Sequence, residues 1–208
     1  TLKQTEALEK IKEEFATKNT VLLHGVTSSG KTEIYLKLME QVISKGNKVV
    51  YLLPEISVTT QIVHRIKKHF GEKVGVYHSK FNQNERVELW QKTLKGDFDI
   101  IIGPRNVLFM PFDQVGLIIV DEEHESSYKQ MDTKPFFQGR DMAMVLGSMV
   151  KAKVLLGSAT PSIESYFNAR QGKYGYVELN ERFGNIQLPQ INLVDLKKAQ
   201  REKEITYD

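Results

Sequence analysis

Short apolar runs alternate with amphipathic stretches along most of this chain, and this alternation constrains the fold more than any other feature of the sequence. Six runs have the length and composition of strands, at 20–24, 48–53, 74–77, 99–103, 115–120 and 153–157. Helical spacing of apolar residues predicts helices over 5–16, 32–44, 59–70, 84–94, 140–149 and 162–171. Strands that are separated by helices indicate a parallel sheet with crossover connections.

The predicted sheet places the chain in the α/β class. The segment 116–120 is apolar throughout, as expected of a strand that is covered on both faces, where polar and apolar residues need not alternate. The 208 residues are enough for one large domain with its own hydrophobic core. We therefore expect an α/β fold with a doubly wound, mainly parallel sheet and helices on both of its faces.

The composition excludes several classes of protein. The chain has no cysteine, which rules out disulfides and thiolate zinc sites, and its five histidines do not have a metal-ligand spacing. No apolar run approaches the roughly 18 to 20 residues that span a bilayer, and the first residues do not resemble a secretion signal. We therefore expect a cytoplasmic protein without a membrane partner. The net charge of +3 is compatible with a polyanionic partner but does not establish one.

A phosphate-binding loop is predicted directly after the first strand. The residues that match the pattern G-x-x-x-x-G-K-[ST] are Gly25, Val26, Thr27, Ser28, Ser29, Gly30, Lys31 and Thr32. In such a loop, backbone N–H groups and a helix N-terminus surround the phosphates of a nucleotide. Lys31 is expected to contact the β- and γ-phosphates of ATP, and Thr32 to ligate Mg²⁺. The alternative is a glycine-rich turn with an exposed lysine, which the flanking strand and helix disfavour.

Acidic and small hydroxyl residues follow two other predicted strands. Asp121 stands at the carboxyl end of the fifth strand, where a Walker-B acid holds magnesium directly or through water. Glu122 is the candidate general base for the water that attacks the γ-phosphate. The two carboxylates could instead cap a following helix, which would not exclude catalysis. Ser158 and Thr160 follow the sixth strand and are candidates for sensing the phosphate, although alone they would indicate an ordinary capping turn.

The order of these three motifs resembles that of the first lobe of a superfamily 2 helicase. Further text is similar to the PriA family of replication-restart helicases, at 24–27, 53–56, 78–79, 121–124, 126–130, 140–141 and 157–161. The resemblance implies a RecA-like P-loop lobe that binds ATP and Mg²⁺. It also implies a motor that hydrolyses ATP, moves 3′ to 5′ on single-stranded or forked DNA, and works with other primosome proteins.

The resemblance also assigns residues outside the three motifs. Gln4 corresponds to a glutamine that contacts adenine, and residues 126–139 to an aromatic-rich loop that couples DNA contact to hydrolysis. Arg105 follows the fourth strand, on the ligand-binding side of the sheet, and is expected to contact the DNA backbone. The candidates for DNA contact or coupling are Arg105, Tyr128, Lys129, Phe136, Phe137, Arg140, Ser158 and Thr160. Rings beside lysines suit base stacking with phosphate attraction, but they could equally pack the loop down.

Three other stretches bear on the site. The segment 54–57 follows the second predicted strand, on the same ligand-binding side of the sheet. The basic run over 64–69 shares helical spacing with apolar neighbours, which indicates a solvated helix face. Ser28 stands where the family commonly has glycine. Serine can be tolerated there if it keeps a negative φ, and we expect altered nucleotide affinity without loss of binding.

We assign residues 1–180 to the ATP-binding lobe and 181–208 to a connector leading towards a second helicase lobe that the sequence does not contain. An arginine finger from such a lobe contributes roughly 10³ to 10⁵ in rate. We therefore expect an excised, monomeric lobe that binds nucleotide, has little or no ATPase activity and does not unwind DNA. Two alternatives stay open, a lobe of another superfamily 2 translocase and a docking module without nucleotide turnover. Intact Lys31, Thr32, Asp121 and Glu122 argue against the second.

Overall fold

The computed structural model describes residues 1–54, 60–132 and 134–182. The helices in these residues are α1 (Leu2–Thr17), α2 (Lys31–Ile43), α3 (Thr60–Phe70), α4 (Gln83–Leu94), α5 (Gly139–Val150) and α6 (Ile163–Arg170). The strands are β1 (Thr20–Gly25), β2 (Lys48–Leu52), β3 (Val74–Val76), β4 (Ile100–Gly103), β5 (Val115–Asp121), β6 (Lys129–Gln130), β7 (Phe137–Gln138), β8 (Lys153–Ser158) and β9 (Gly175–Leu179). Short 3-10 helices occupy Gly71–Lys73, Arg105–Phe109 and Ser126–Tyr128.

Seven of the strands form one sheet in the order β3-β4-β2-β5-β8-β1-β9. All of its pairings are parallel, so the carboxyl ends of the strands lie along one edge. The strands β6 and β7 form a separate antiparallel pair. The strand order brings β1, β5 and β8 together in the sheet although long stretches of sequence separate them.

Two hydrophobic clusters cover the two faces of the sheet. Val21 and Leu23 of β1 belong to one cluster, which also contains residues of α1, α2 and α3. Leu22 of the same strand belongs to the other, with residues of α4, α5 and α6. Successive side chains of a strand point to opposite faces, so each face has its own set of helices. The predicted α/β fold with a doubly wound parallel sheet is confirmed.

Local capping explains where several helices begin. Thr1 and Gln4 form a capping box at the start of α1, and Asn82 and Glu85 form another at the start of α4. Helix α2 differs, because its N-cap is Gly30 and no side chain caps it. The first N–H groups of α2 are therefore left for another acceptor.

All six predicted strands are present, and every strand end lies within one residue of its predicted position. Strand β9 was not predicted, because its burial alternates along the edge of the sheet and gives no continuous apolar run. The predicted helices are also present, and α1 begins earlier than predicted because Thr1 caps it. Residues 55–57 of the ligand-side segment and 183–208 of the predicted connector lie outside the described residues. No described helix is long and apolar enough to cross a membrane.

Candidate nucleotide-binding site

The strand register brings the three predicted motifs to one point on the edge of the sheet. His24, the residue before the loop, pairs with Ser158. Gly157, the residue before that serine, pairs with Asp121. Strand β8 therefore lies between the strand that carries the phosphate loop and the strand that carries the acidic residues. Side chains that are about 90 or more positions apart along a chain become neighbours because carboxyl ends of parallel strands share one edge.

The phosphate loop connects β1 to α2 by a tight turn. Gly30 has a φ of 90°, in the left-handed region where glycine is favoured, and it is the N-cap of α2. The Lys31 ammonium lies over the loop and donates to the Gly25 carbonyl oxygen at 2.8 Å. This side chain is nearly buried, and the loop holds its charge beside the uncapped N-terminus of α2. Both features attract an anion to the same place.

The side chain of Ser29 bears on which ligand the loop fits. Its side-chain hydroxyl is buried and has no hydrogen-bond partner. A buried polar atom without a partner costs free energy, so the loop fits a ligand that supplies an acceptor. A nucleotide phosphate meets this requirement. Within the described ranges, no group of three or more His, Cys, Asp or Glu side chains could hold a metal ion alone.

Gln4 lies against the phosphate loop, as the prediction for this residue requires. Its Nε2 donates to the Ser29 carbonyl oxygen at 3.0 Å, and its Oε1 accepts from the Thr1 amino group at 2.8 Å. A Cβ atom on Gly30 would lie 1.9 Å from Gln4 Nε2, so the close approach requires glycine at that position. The amide of Gln4 therefore joins the start of α1 to the loop. Its contact with adenine stays a prediction.

A cavity of about 830 Å³ opens in front of the loop. Its predicted lining residues are Gln4, Thr27, Ser28, Ser29, Gly30, Lys31, Thr32, Asp121 and Glu122, whereas Gly25 and Val26 of the predicted set do not line it. Lys37 and Arg65, which were not predicted, also line it. Arg65 forms an ion pair with Glu33 of α2. The basic residues of the run over 64–69 are all exposed, as a solvated helix face requires, and Arg65 also lies at the edge of the cavity.

Ser28 does not have the backbone conformation expected of it. Its φ is 62°, in the left-handed region, so the negative φ on which tolerance of serine was expected to depend is not met. A non-glycine residue there places its Cβ too close to a neighbouring carbonyl oxygen, at a cost of about 1–2 kcal/mol. The loop therefore retains the conformation that a glycine would adopt freely, and the serine adopts it under strain.

Asp121 is a buried carboxylate that is surrounded by tyrosine hydroxyl groups. Tyr35 donates to its Oδ1 at 2.9 Å, and Tyr51 donates to its Oδ2 at 3.1 Å. Tyr128 donates to the backbone carbonyl of the same residue at 2.6 Å. Burial, together with the charge of Glu122, raises the pKa of the Asp121 carboxyl, and the tyrosine hydroxyls oppose this shift. Sequence reasoning missed Tyr35 and Tyr51, because rings in apolar segments are read as ordinary core.

Glu122 points into the cavity. Its Oε1 lies 3.7 Å from the Lys31 ammonium and its Oε2 lies 3.7 Å from Nδ1 of His124. The φ of Glu122 is 46°, an uncommon value for a residue with a side chain. Strained backbone of this kind is often found where a side chain must be held in a functional position. The carboxylate is thus beside the phosphate loop and partly open to solvent, where a general base must be.

His124 joins the acidic motif to the residues after β8. Its Nδ1 lies 2.7 Å from the Ser158 hydroxyl, and its Nε2 lies 3.3 Å from the Thr160 hydroxyl. Ser158 also accepts a hydrogen bond from the backbone N–H of Thr160 at 3.0 Å. Both predicted sensing residues therefore contact a side chain that also lies beside Glu122. The prediction named Ser158 and Thr160 but gave His124 no separate role.

Glu123 and Arg140 form a buried charge network beneath the site. The Glu123 side chain is 0% exposed, and its Oε2 accepts from Arg140 at 3.2 Å and from Ser165 at 2.8 Å. Its Oε1 accepts from the backbone N–H of Ser162 at 2.7 Å. Arg140 also pairs with Asp141, so its guanidinium is occupied and largely buried. The structure shows Arg140 engaged within the protein, and its role in DNA contact or coupling stays a prediction.

The predicted aromatic loop divides into a buried part and an exposed part. Tyr128 is 1% exposed, so its ring cannot stack on a base, and this part of the prediction is corrected. Phe136 is 63% exposed, and Phe137 packs edge-on against Phe109 with 5.3 Å between the ring centroids. Lys129 is exposed on the short strand β6. The exposed part thus presents the Phe136 ring and part of the Phe137 ring to solvent, together with the exposed Lys129.

Arg105 supports this loop from the neighbouring 3-10 helix. Its Nη1 donates to the Ser127 carbonyl oxygen at 2.6 Å, and its Nε donates to the Gln130 side chain at 3.4 Å. Much of the guanidinium is therefore bound within the protein. A contact between Arg105 and the DNA backbone stays a prediction, and a contact with the loop is what the structure contains.

Strand β9, which was not predicted, also reaches the phosphate loop. The N–H of Val26 donates to the Leu179 carbonyl oxygen at 3.2 Å. Beyond the strand, Arg182 donates to the Thr27 hydroxyl at 3.4 Å. The edge strand therefore supports the loop from the side opposite β8.

Comparison with known proteins agrees with this geometry. The DEAD/DEAH box helicase family model matches residues 1–168, which is most of the chain. The chain belongs to the DEAD/DEAH box helicase family. A helicase domain of this family implies binding of ATP, generally with magnesium.

The curated relatives of this helicase lobe carry the name replication restart protein PriA. The protein from Chlamydia muridarum is 44% identical over 200 residues, which cover 95% of this chain and 27% of the relative. The protein from Bacillus subtilis is 43% identical over 180 residues, covering 86% of this chain and 22% of the relative. The predicted resemblance to the PriA family is confirmed. The chain spans about a quarter of the length of these relatives.

Solved structures of other helicases share the fold. RecG bound to a three-way DNA junction superposes with a TM-score of 0.67 at 21% identity, covering 98% of this chain and 27% of that one. A hypothetical ATP-dependent RNA helicase from Sulfolobus tokodaii gives a TM-score of 0.59 at 18% identity, covering 85% and 51%. At these identities the likeness concerns the fold alone, and it agrees with the RecA-like lobe that was predicted.

Replacing Ser28 by glycine should stabilise this helicase lobe. Ser28→Gly removes the left-handed strain, and we expect the free energy of unfolding to rise by up to about 1 kcal/mol. Chemical denaturation monitored by circular dichroism measures the change. Ser126→Gly, at an exposed position without a positive φ, is the matched control and should destabilise the lobe, since glycine adds freedom to the unfolded chain there. A loss of stability in Ser28→Gly would contradict the strain.

Neutralising Glu123 should destabilise the lobe strongly. Glu123→Gln leaves the buried guanidinium of Arg140 without its carboxylate, and breaking a buried ion pair in this way costs about 3–5 kcal/mol. Glu125→Gln, a nearby change outside the network, should be close to neutral. The same denaturation experiment compares the two. A Glu123→Gln lobe as stable as Glu125→Gln would refute the importance of the network, and Glu123→Gln with Arg140→Met should recover part of the loss.

Proposed function

We propose that this chain is the ATP-binding first lobe of a DNA helicase motor that acts in replication restart. The observation that carries the proposal is the convergence of Lys31, Asp121 and Glu122 on one cavity at the edge of the sheet. The PriA relatives, at more than 40% identity over most of the chain, support the replication-restart role. Their similarity also favours this role over that of another superfamily 2 translocase.

The residues of the cavity divide the work of hydrolysis among them. Lys31 and the N–H groups at the start of α2 bind the β- and γ-phosphates of ATP. Thr32 and Asp121 hold the magnesium ion, which offsets charge on the phosphate oxygens when it is bound. Glu122, whose Oε1 lies 3.7 Å from the Lys31 ammonium, orients the attacking water and accepts its proton. Gln4 contacts the adenine.

Two sets of contacts are suited to report the state of the nucleotide. His124 lies between Glu122 and the hydroxyls of Ser158 and Thr160, so a change at the γ-phosphate alters the hydrogen bonds of this histidine. Glu123, which lies between Glu122 and His124, binds Arg140 at the start of α5, directly after the aromatic loop. A shift of the acidic motif is thereby passed to the loop. Phe136, Phe137 and Lys129 on that loop contact single-stranded DNA.

The rest of the proposal concerns the whole motor. It moves 3′ to 5′ on single-stranded or forked DNA, works with other primosome proteins and acts in the cytoplasm. Residues 1–180 are the lobe and 181–208 lead towards a second lobe, which supplies an arginine to the γ-phosphate. RecG, a structural neighbour, was solved on a three-way DNA junction, and this supports a branched DNA substrate for the motor. The isolated chain is monomeric.

Lys31→Ala should weaken nucleotide binding. Removing the only ammonium that lies over the loop within the described residues should raise the Kd for a fluorescent ADP by at least about 10-fold, or 1.4 kcal/mol. Fluorescence titration in the presence of Mg²⁺ measures the Kd. Lys45→Ala, an exposed lysine just after α2, is the control and should bind like the wild type. Equal affinity in wild type and Lys31→Ala would remove the phosphate-loop assignment.

The purified 208-residue chain should have feeble ATPase activity at most and no unwinding activity. The reason is that the arginine of a second lobe contributes roughly 10³ to 10⁵ to the rate of such reactions. Phosphate release with and without single-stranded DNA, and unwinding of a labelled fork, test this. Any residual turnover should disappear in Glu122→Gln. DNA-stimulated turnover that Glu122→Gln abolishes, or unwinding by the chain alone, would contradict the half-motor proposal.

A further inference from the structure

Two tyrosines hold the carboxylate of Asp121 from behind. Tyr35 is on α2, four residues after Lys31, and Tyr51 is near the end of β2. Their hydroxyls donate to different oxygens of the same carboxylate, at 2.9 Å and 3.1 Å. Asp121 lines the cavity, whereas neither tyrosine is among its lining residues. The carboxylate is therefore fixed on its protein side and open on its ligand side.

The geometry of the pair leaves the carboxylate little freedom. Oδ1 accepts a second hydrogen bond, from the backbone N–H of Glu122 at 3.1 Å, so both of its lone pairs are used. Oδ2 accepts from Tyr51 and keeps one lone pair for a further ligand. Because each oxygen has its own donor, the carboxylate cannot rotate about its bond to Cβ without losing hydrogen bonds.

The surroundings hold the tyrosines themselves in place. Both side chains are fully buried, and their rings pack edge-on with 5.8 Å between the centroids. Gly157 leaves the space for one of the hydroxyls, because a Cβ atom on that residue would lie 1.8 Å from the Tyr35 oxygen. The glycine before Ser158 is thus required for the contact between Tyr35 and Asp121. Strand β8 therefore contributes to the surroundings of Asp121 through a glycine, which has no side chain to displace Tyr35.

We propose that Tyr35 and Tyr51 are positioning residues that aim the free lone pair of Asp121 at the magnesium ion of the bound nucleotide. The inference rests on the proposed role of Asp121 in holding that ion. The tyrosines themselves contact neither metal nor nucleotide. Loss of a hydrogen-bonding partner behind a metal ligand commonly weakens metal affinity by about 10- to 100-fold.

The test separates the metal from the nucleotide. The Kd of a fluorescent ADP is measured in EDTA and across a Mg²⁺ titration for wild type, Tyr35→Phe, Tyr51→Phe and Asp121→Asn. In both tyrosine variants, the Mg²⁺ concentration for half-maximal enhancement of binding should rise about 10- to 100-fold, while the Kd in EDTA stays within about two-fold. Tyr77→Phe, a buried tyrosine outside the site, is the matched control and should titrate like the wild type.

The outcomes distinguish the inference from the proposed function. Unchanged magnesium dependence in both tyrosine variants, with Asp121→Asn impaired, would overturn the inference and leave the function standing. Unchanged dependence in Asp121→Asn would overturn the metal role on which the inference rests. A tyrosine variant that weakens binding equally in EDTA and in Mg²⁺ would show a merely structural role and would also overturn it.

A further variant tests the contact between Tyr35 and Asp121 without removing the Tyr35 hydroxyl. Gly157→Ala should displace the Tyr35 hydroxyl and raise the half-maximal Mg²⁺ concentration as much as Tyr35→Phe does. The double variant, Gly157→Ala with Tyr35→Phe, should need no more Mg²⁺ for half-maximal binding than the more impaired single variant. The reason is that both changes remove the same hydrogen bond, from Tyr35 to Asp121. Fully additive losses would mean that Gly157 and Tyr35 act separately. This would contradict the inference that Gly157 makes room for the Tyr35 hydroxyl beside Asp121. Thermal unfolding of each variant verifies that it is folded at the titration temperature.

Discussion

The burial of the Asp121 carboxylate at the end of β5 is the constraint on which the site depends. A carboxylate removed from water needs compensating donors, and its neighbour Glu122 adds a second negative charge. Three donors surround it: the Tyr35 hydroxyl from α2, the Tyr51 hydroxyl from β2 and the backbone N–H of Glu122, which directly follows β5. Each of these elements is held by the parallel sheet. The hydrogen bonds that compensate the buried charge of Asp121 therefore depend on the register of the sheet.

The acidic motif assigns a different environment to each of its successive side chains. Glu122 faces the cavity, Glu123 is buried beneath it, and His124 turns towards the residues after β8. The extended backbone of β5 ends at Asp121, and Glu122, the next residue, has a positive φ. One short segment is thus in contact with the phosphate loop, with α5 and α6, and with Ser158.

The sequence predicted those parts of the structure that depend on local pattern. Strands such as β5 are continuous apolar runs, and the phosphate loop has a fixed spacing between Gly25 and Lys31. Strand β9 escaped prediction because its polar and apolar residues alternate at the edge of the sheet. Tyr35 and Tyr51 escaped because only the three-dimensional pairing of α2 and β2 with β5 reveals what their hydroxyls contact. Ser28 was misjudged because backbone conformation follows from the closure of the loop, and the side chain had to accept it.

Strand β9 connects the phosphate loop to the part of the chain that leaves the sheet. Leu179 holds the backbone of Val26, and Arg182, three residues on, holds the side chain of Thr27. The segment 179–182 therefore runs beside the loop. A displacement of this segment is carried by two hydrogen bonds into residues 26 and 27, so the end of β9 and the phosphate loop are mechanically linked.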